Sequence, residues 1–197
     1  MRMKCLFLLI CFVAVPQVYA APQIWSGLDY SFSKADYAVW TNAANQDSIS
    51  TNVHITRQDT EGLFNILLES GYQGWDTSPV DTEWAFSGLN GCATFPAGSG
   101  AVQYASLTFD SLARALNVNI GDYIVGTPGV LHLISEDIYI DILFTGWTEG
   151  GAGGGFAYNR AATPPSVTIP TLSEWGMIIM SLIMAGTAFW MIRRRKV

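Results

Sequence analysis

Few side chains between residues 21 and 168 could perform catalysis or hold a metal ion. This region has two histidines, His54 and His132, and one cysteine, Cys92. Both histidines fall on the expected solvent side of a strand, and their spacing indicates no Ser–His–Asp or Cys–His site. A zinc site would need more histidine and cysteine ligands than the region supplies. We therefore predict no metal ion, no cofactor and no catalytic residues.

Carboxylates are the remaining candidates for chemistry. Asp76, Asp81 and Glu83 lie close together in a predicted loop, and Glu136 and Asp137 lie together in a predicted turn. Such oxygens suit calcium, but the chain has no Asp-x-Asp-x-Asp-Gly loop. Two carboxylates can also hydrolyse a glycosidic bond. A carboxylate-dependent hydrolase acting on envelope polysaccharide is therefore the alternative to our main prediction, which is a protein that is not an enzyme.

The cysteine and the tryptophans each allow more than one role. Cys92 has no partner for an intramolecular disulfide, and we expect a half-buried small residue in a loop. An intermolecular bridge or a nucleophilic thiol stays open for it. Five tryptophans could form a flat platform for carbohydrate or fill the core, and core packing is the favoured interpretation. They are Trp25, Trp40, Trp75, Trp84 and Trp147.

The sequence pattern that predicts β-strands is strongest near residue 140. Val130–Ser135 and Ile138–Trp147 flank the polar pair Glu136-Asp137, which predicts a β-hairpin. Phe156–Arg160 alternates again after the run Gly150–Gly155. That run predicts a loop and not a phosphate cradle, because no Lys-Ser or Lys-Thr follows it. The three strands predict an antiparallel meander.

The upstream segments are less regular. Asn52–Arg57 alternates like a half-buried strand, with Val53 and Ile55 on one face. Thr60–Ser70 carries apolar residues at helical spacing, which predicts a short helix. Gly71–Gly100 is rich in turn residues and is expected to be a surface excursion.

Three shorter predictions complete the fold. Glu83–Phe86 and Ser106–Phe109 are expected to be small strands, and Asp110 to cap a second short helix that runs through Leu116. Strands and helices do not alternate along the chain, which disfavours a parallel α/β sheet. We predict a mainly β body, an antiparallel β-sandwich or jelly-roll-like domain with one or two short helices.

The N-terminus has the pattern of a secretory signal peptide. Arg2 and Lys4 precede an apolar run from Cys5 to Val15, and small residues occupy the positions before a cut between Ala20 and Ala21. The pattern predicts a cleaved signal helix at residues 1–20. The chain is therefore expected to be exported.

The C-terminus predicts a transmembrane helix followed by a basic tail. Met177–Ile192 is uncharged and apolar, and we expect a helix at about 174–192. Arg193, Arg194, Arg195 and Lys196 follow, and the positive-inside rule places this cluster in the cytoplasm. The predicted body, residues 21–162, would then lie outside the cytoplasm, joined to the helix by a proline-containing linker at 163–170.

The segment that opens this tail resembles a known sorting signal. Ile169-Pro170-Thr171-Leu172-Ser173-Glu174-Trp175-Gly176, one apolar helix and a terminal basic cluster are similar to the IPTL-CTERM signal, a relative of the PEP-CTERM signals of Gram-negative bacteria. The resemblance spans 169–197 and implies recognition by an exosortase-like membrane enzyme, removal of the tail and delivery to the cell surface or extracellular matrix. The residues that carry it are Ile169, Pro170, Thr171, Leu172, Trp175 and Gly176.

A second resemblance lies in the body. The segment from Val130 to Ile142, with Phe144–Trp147 and Phe156–Tyr158, is similar to a block found in uncharacterised exported bacterial proteins. The resemblance implies export and no particular activity.

Charge narrows the partners. Residues 21–168 contain four basic and fifteen acidic residues, a formal charge of −11. A body this acidic repels nucleic acid. We predict an exported protein that is held in the inner membrane transiently or permanently with its body in the periplasm, and then reaches the surface or matrix. There it would bind a glycan or a protein and no nucleic acid.

Overall fold

The structure is a computed structural model that describes residues 21–77, 79–163 and 172–194. The chain divides into two compact units, one ending at Ala162 and one beginning at Thr163. The described strands of the first unit form two sheets. In chain order they are β1 (Gln23–Trp25), β2 (Tyr30–Lys34), β3 (Asp47–Ser48), β4 (His54–Arg57), β5 (Leu63–Asn65), β6 (Thr82–Phe86), β7 (Pro128–Leu133), β8 (Ile138–Trp147) and β9 (Phe156–Arg160).

The larger sheet is built around β8. Its order is β2-β9-β8-β7-β6, with every neighbouring pair antiparallel, and β1 adds in parallel to the first residues of β8. The β7–β8 hairpin pairs Leu133 with Ile138, and the turn contains Asp137 at φ 52°. The smaller sheet is antiparallel, with the order β3-β4-β5. The predicted hairpin and meander are confirmed.

Both faces of the larger sheet are covered by apolar side chains. One face joins the smaller sheet in a main core that includes Val53, Ile55, Trp84, Ile140 and Phe144. The other face carries a second, smaller cluster, and its members are Ala85, Cys92, Phe95, Ala101 and Val130. Burial on both sides explains why β8 is apolar along most of its length.

A buried ion pair connects the two sheets. The Asp47 carboxylate on β3 accepts hydrogen bonds from Nε and Nη2 of Arg160 on β9, at 2.7 and 2.9 Å. The Tyr158 hydroxyl donates to the same carboxylate at 2.6 Å. Asp47 and Arg160 are 1% and 4% exposed. Burial and the adjacent Asp47 charge raise the pKa of Tyr158 well above its ordinary value, which keeps the hydroxyl protonated and donating.

The helices described in this unit, between residues 21 and 162, are short. They are α1 (Leu112–Ala115), α2 (Ile120–Tyr123) and the 3₁₀ turns Ala43–Asn45 and Ala101–Ser106. A mainly β fold with antiparallel sheets and a few short helices is confirmed. The finer assignment to a sandwich or jelly roll stays a prediction.

Two of the predicted elements are wrong. The helix expected at Thr60–Ser70 is instead the strand β5 followed by turns, because Leu63, Phe64 and Asn65 are all buried and pair with β4. The strand expected at Ser106–Phe109 is absent. A 3₁₀ turn ends at Ser106, and the next residue with strand pairing is Asp110, which forms an isolated bridge to Trp84.

The second unit contains α3 (Leu172–Arg194). Its large apolar side chains are at least half exposed where described, and they are Met177, Ile178, Ile179, Met180, Leu182, Ile183, Met184, Phe189 and Trp190. Among the described residues, no helix combines the length and the apolar character needed to cross a bilayer. The predicted transmembrane helix is therefore not confirmed. The predicted signal peptide, including Ala20, lies outside the described residues, which begin at Ala21.

Candidate functional site

The sorting motif lies only partly within the described residues. Ile169, Pro170 and Thr171 fall outside them, and α3 begins at Leu172. Trp175 and Gly176 lie in the first turns of the helix, and a Cβ built on Gly176 would meet no atom within 4 Å. At the other end, Arg193 and Arg194 close α3, whereas Arg195 and Lys196 lie outside the described residues.

The body contains a cleft of about 470 Å³, which we call the Arg57 cleft. Five separate parts of the chain form its walls: the end of β4, the loop before β5, the loop near residue 75, the α1–α2 region and the end of β8 with the glycine-rich loop. The residues that define its chemistry are Arg57, Glu61, Tyr72, Trp75, Asn119 and Trp147. Its volume falls in the range of small-molecule sites.

Arg57 is a buried cation that forms no ion pair with any carboxylate of the described residues. The residue is 2% exposed. Its Nε donates to the Glu61 carbonyl at 2.7 Å, and Nη1 donates to the carbonyls of Thr148 and Gly155 at 2.8 and 3.2 Å. The guanidinium carbon lies 3.7 Å from the centre of the Trp147 ring, a cation–π contact. Nη2 donates to no described residue.

The electrostatics of Arg57 follow from this burial. Burial lowers the pKa of Arg57 to about 10, while the charges of Asp36 and Glu61 act to raise it. The side chain is therefore still protonated at neutral pH. Since carbonyl oxygens hold Nε and Nη1, the position of the charge is fixed before any ligand arrives.

The aromatic walls are partly open to solvent. Trp75 is 60% exposed at the rim. Its carbonyl accepts a hydrogen bond from Ser111 Oγ at 2.6 Å, and the next residue, Asp76, forms an ion pair with Arg114. The exposed ring is thus carried on a loop that is tied to α1. Trp147 also lines the cleft, and its ring stacks with the Arg57 guanidinium.

The floor of the cleft depends on a close contact between Gly62 and Tyr72. A Cβ at Gly62 would lie 2.5 Å from the Tyr72 ring, so a larger residue would displace the ring. Burial, followed by the charge of Glu61, raises the pKa of Tyr72. The phenol is therefore neutral at physiological pH and can donate or accept a hydrogen bond.

The walls also contain backbone in the left-handed region. Glu61 has φ 67° and Val118 has φ 60°. A β-branched residue in this region is unusual, and such strain often accompanies binding sites. The amide of Val118 donates to the Ala113 carbonyl at 2.7 Å, which holds the segment in place.

The tryptophans divide between the core and this cleft. Trp25 and Trp84 are buried, as the favoured interpretation predicts, and Trp40 packs edge-on against Phe64. Of these five tryptophans, Trp75 and Trp147 line the cleft.

His132, on β7, is buried in a polar cluster that does not belong to the Arg57 cleft. It is 8% exposed, so the expected solvated histidine is wrong. Nδ1 lies 2.7 Å from Glu83 Oε1, and Nε2 lies 3.3 Å from Asp137 Oδ1. The imidazole stacks on Tyr139, with ring centres 4.0 Å apart, and Phe109 packs edge-on against it. These rings exclude water where the strand pattern predicted a solvated face.

The other predicted site residues have separate partners. Asp81 accepts hydrogen bonds from the amide and hydroxyl of Ser135 at 3.0 and 2.6 Å, and His54 lies 3.4 Å from the Ser48 hydroxyl. Asp76, Asp81 and Glu83 bind different groups, and none of them lines the Arg57 cleft. Within the described part of the chain, no group of three His, Cys, Asp or Glu side chains is arranged to hold a metal ion.

Cys92 is a free thiol in the smaller apolar cluster. It is buried rather than half-buried, and it packs with Phe95, Ala101 and Val130. Its place in the cluster is that of a small apolar residue.

Sequence reasoning missed Arg57, although a signal for it exists. Val53, Ile55 and Arg57 alternate along one strand, so Arg57 continues the inward-facing series. A charged residue at an inward position of a strand is a candidate for a built polar site.

Comparison with known proteins identifies the tail. The family model described as the IPTL-CTERM motif matches residues 169–195, which confirms the resemblance seen in the sequence. No curated protein and no solved structure matches the chain. The resemblance of the body to uncharacterised exported proteins is thus not shown. The chain carries a C-terminal sorting signal of exported proteins, a type that generally involves processing by an exosortase-like membrane enzyme.

Proposed function

We propose that this protein is a non-enzymatic component of the cell surface or extracellular matrix, delivered there by its C-terminal signal. Residues 1–20 direct export and are removed after Ala20. The tail then associates with the inner membrane, transiently or permanently, and presents Ile169–Gly176 to an exosortase-like enzyme. After processing, the body remains outside and binds a glycan or a neighbouring protein.

The observation that carries this proposal is the IPTL-CTERM match at 169–195. The described apolar side chains of α3 add support, because they are at least half exposed from Met177 to Trp190. Apolar surface on this scale is costly in water and is favourable in lipid. The helix therefore has the surface expected of a segment that meets a membrane during processing.

The body supports a binding role better than a catalytic one. Asp76, Asp81 and Glu83, the carboxylates considered for a hydrolase, are bound to Arg114, Ser135 and His132. The Arg57 cleft instead combines an exposed tryptophan with a fixed cation. These are features of a recognition site.

Mass spectrometry of the protein released from intact cells tests the sorting proposal. We expect an N-terminus at Ala21 and a C-terminus within or next to Ile169–Gly176. Thr171→Val should abolish or strongly reduce the processed form, because it alters the motif at nearly constant volume. Thr187→Val, which makes the same change in α3 outside the motif, should leave processing unchanged.

Two results would contradict the proposal. One is surface protein that still ends at Val197, which would show a permanent tail and no processing. The other is unchanged surface display after deletion of 169–197. Binding is tested separately, by comparing how much processed protein cells and isolated matrix retain with and without a competing matrix extract.

A further inference from the structure

We propose that the Arg57 cleft binds a short neutral saccharide, an inference that rests on the proposed binding function and names its ligand class. The proposed function and this inference require different things. A surface protein could bind another protein elsewhere on its body, whereas the inference concerns this cleft and one kind of ligand.

The first argument is the unused donor on Arg57. The residue is 2% exposed, and Nε and Nη1 are held by main-chain carbonyls. Nη2 donates to no described residue, and no carboxylate lies within ion-pair distance among the residues described. Nη2 is not itself enclosed, because the enclosed side-chain atom without a partner among the described residues is Trp25 Nε1. Nη2 is therefore open to solvent, and a ligand oxygen in the cleft would accept a charge-assisted hydrogen bond from it without reorganising the side chain.

The second argument is a matching acceptor. The Glu61 carboxylate makes no hydrogen bond to a described residue, and it lines the same cleft. The Glu61 carbonyl accepts from Arg57 Nε at 2.7 Å, so the Arg57 side chain is fixed to the Glu61 backbone. A cleft that offers both a donor and an acceptor fits a hydroxyl group, which both accepts and donates.

The third argument is the pair of tryptophans. Trp75 is 60% exposed on a loop tied to α1, and Trp147 lines the same cleft. An apolar ring face held in water is stabilised when a ligand covers it. The C–H face of a pyranose ring is flat and apolar, while its edge carries hydroxyls. A sugar therefore matches both kinds of wall in a volume of about 470 Å³.

Charge decides in favour of a neutral sugar over an acidic one. Burial lowers the pKa of Arg57, and the charges of Asp36 and Glu61 already oppose that effect, so negative charge is present near the guanidinium. A uronic acid would place a further carboxylate next to Glu61. The formal charge of −11 over residues 21–168 would also slow the approach of a polyanionic chain.

The test uses the full-length chain in a zwitterionic detergent, because alkyl glycoside detergents would compete. Neutral gluco-, galacto- and manno-oligosaccharides are titrated by calorimetry beside their uronic acid counterparts. We expect at least one neutral oligosaccharide to bind and its uronic acid counterpart to bind at least tenfold more weakly. Trp75→Ala should weaken binding about tenfold or more. Trp190→Ala removes an exposed tryptophan from the tail and should leave the affinity unchanged.

Glu61→Gln separates charge from shape. It keeps an acceptor and removes the negative charge, so the affinity for the uronic acid should rise relative to the affinity for its neutral counterpart. Arg57→Gln should abolish binding, and Trp75→Ala answers the question independently if Arg57→Gln fails to fold. Three results would each overturn the inference: no neutral oligosaccharide binds, Trp75→Ala binds like wild type, or uronic acids bind more tightly than neutral sugars.

Processing and binding fail independently. Protein that is correctly trimmed and displayed but binds no saccharide overturns this inference and leaves the proposed sorting intact. Protein that binds saccharide but keeps its tail at the surface overturns the sorting proposal alone.

Discussion

Replacing Asp47 with asparagine should lower the free energy of unfolding by about 3–5 kcal/mol. The carboxylate is 1% exposed and holds Arg160 through bonds of 2.7 and 2.9 Å, with a third bond from Tyr158. The variant keeps the side-chain shape but leaves the Arg160 guanidinium buried without its counter-charge. At a urea dependence of roughly 2 kcal/mol/M, the midpoint of unfolding should fall by about 2 M.

Urea unfolding of residues 21–162, followed by tryptophan fluorescence, measures the change. Asp76→Asn is the matched control, because it neutralises one partner of an exposed ion pair with Arg114. That control should leave the midpoint where it is, since solvent screens the exposed pair. Replacing Asp47 and Arg160 together with leucine and methionine should recover part of the loss, because no buried charge remains. A midpoint for Asp47→Asn as high as that of Asp76→Asn would refute the account of this pair.

Three further predictions follow from single residues. Burial raises the pKa of Asp141 above its unfolded value, so the folded state holds the proton of this carboxyl more tightly. The free energy of unfolding of wild type, relative to that of Asp141→Asn, should therefore fall as pH rises from about 4 through the raised pKa. Urea unfolding of both proteins at each pH measures this difference. Gly154→Ala should prevent native folding, because a Cβ there would lie 1.7 Å from the Gln58 carbonyl oxygen. Gly91→Ala has a similar positive φ but no atom within 4 Å of its Cβ, so it should lower the free energy of unfolding by only about 1–2 kcal/mol. Equal effects of the two variants in urea unfolding would contradict the steric argument. Val118→Asn should raise the free energy of unfolding by about 1 kcal/mol, because asparagine tolerates φ 60° better than valine does. A destabilised variant would show that the contacts of the valine side chain contribute more to stability than the backbone strain costs.

The strands around the hairpin could be predicted because their side chains alternate and a polar turn separates them. Leu133 and Ile138 close the hairpin where the sequence places it. The error at Thr60–Ser70 has a physical cause. Leu63 and Leu67 have helical spacing, but Leu63 is buried in β5 whereas Leu67 is 47% exposed in the following turn. Tertiary pairing with β4 overrides the local pattern there.

The cleft could not be predicted, because its walls come from distant parts of the chain. Arg57 bonds to the Thr148 carbonyl across 91 residues, and Trp75 is held by Ser111. Neither contact can be recognised from the spacing of residues in the local sequence. The sorting signal is the opposite case, since its information lies in one continuous segment, residues 169–195, and it can be recognised without knowledge of the fold.

The position of β1 and β2 in the larger sheet has a consequence for the order in which the protein can be built. Both strands lie at the start of the body, yet they pair with β8 and β9, roughly a hundred residues or more further along the chain. A chain that is synthesised from its N-terminus cannot close this sheet until its last strands have been made. The native state therefore depends on long-range pairing, which slows folding and delays it until nearly the whole body is available.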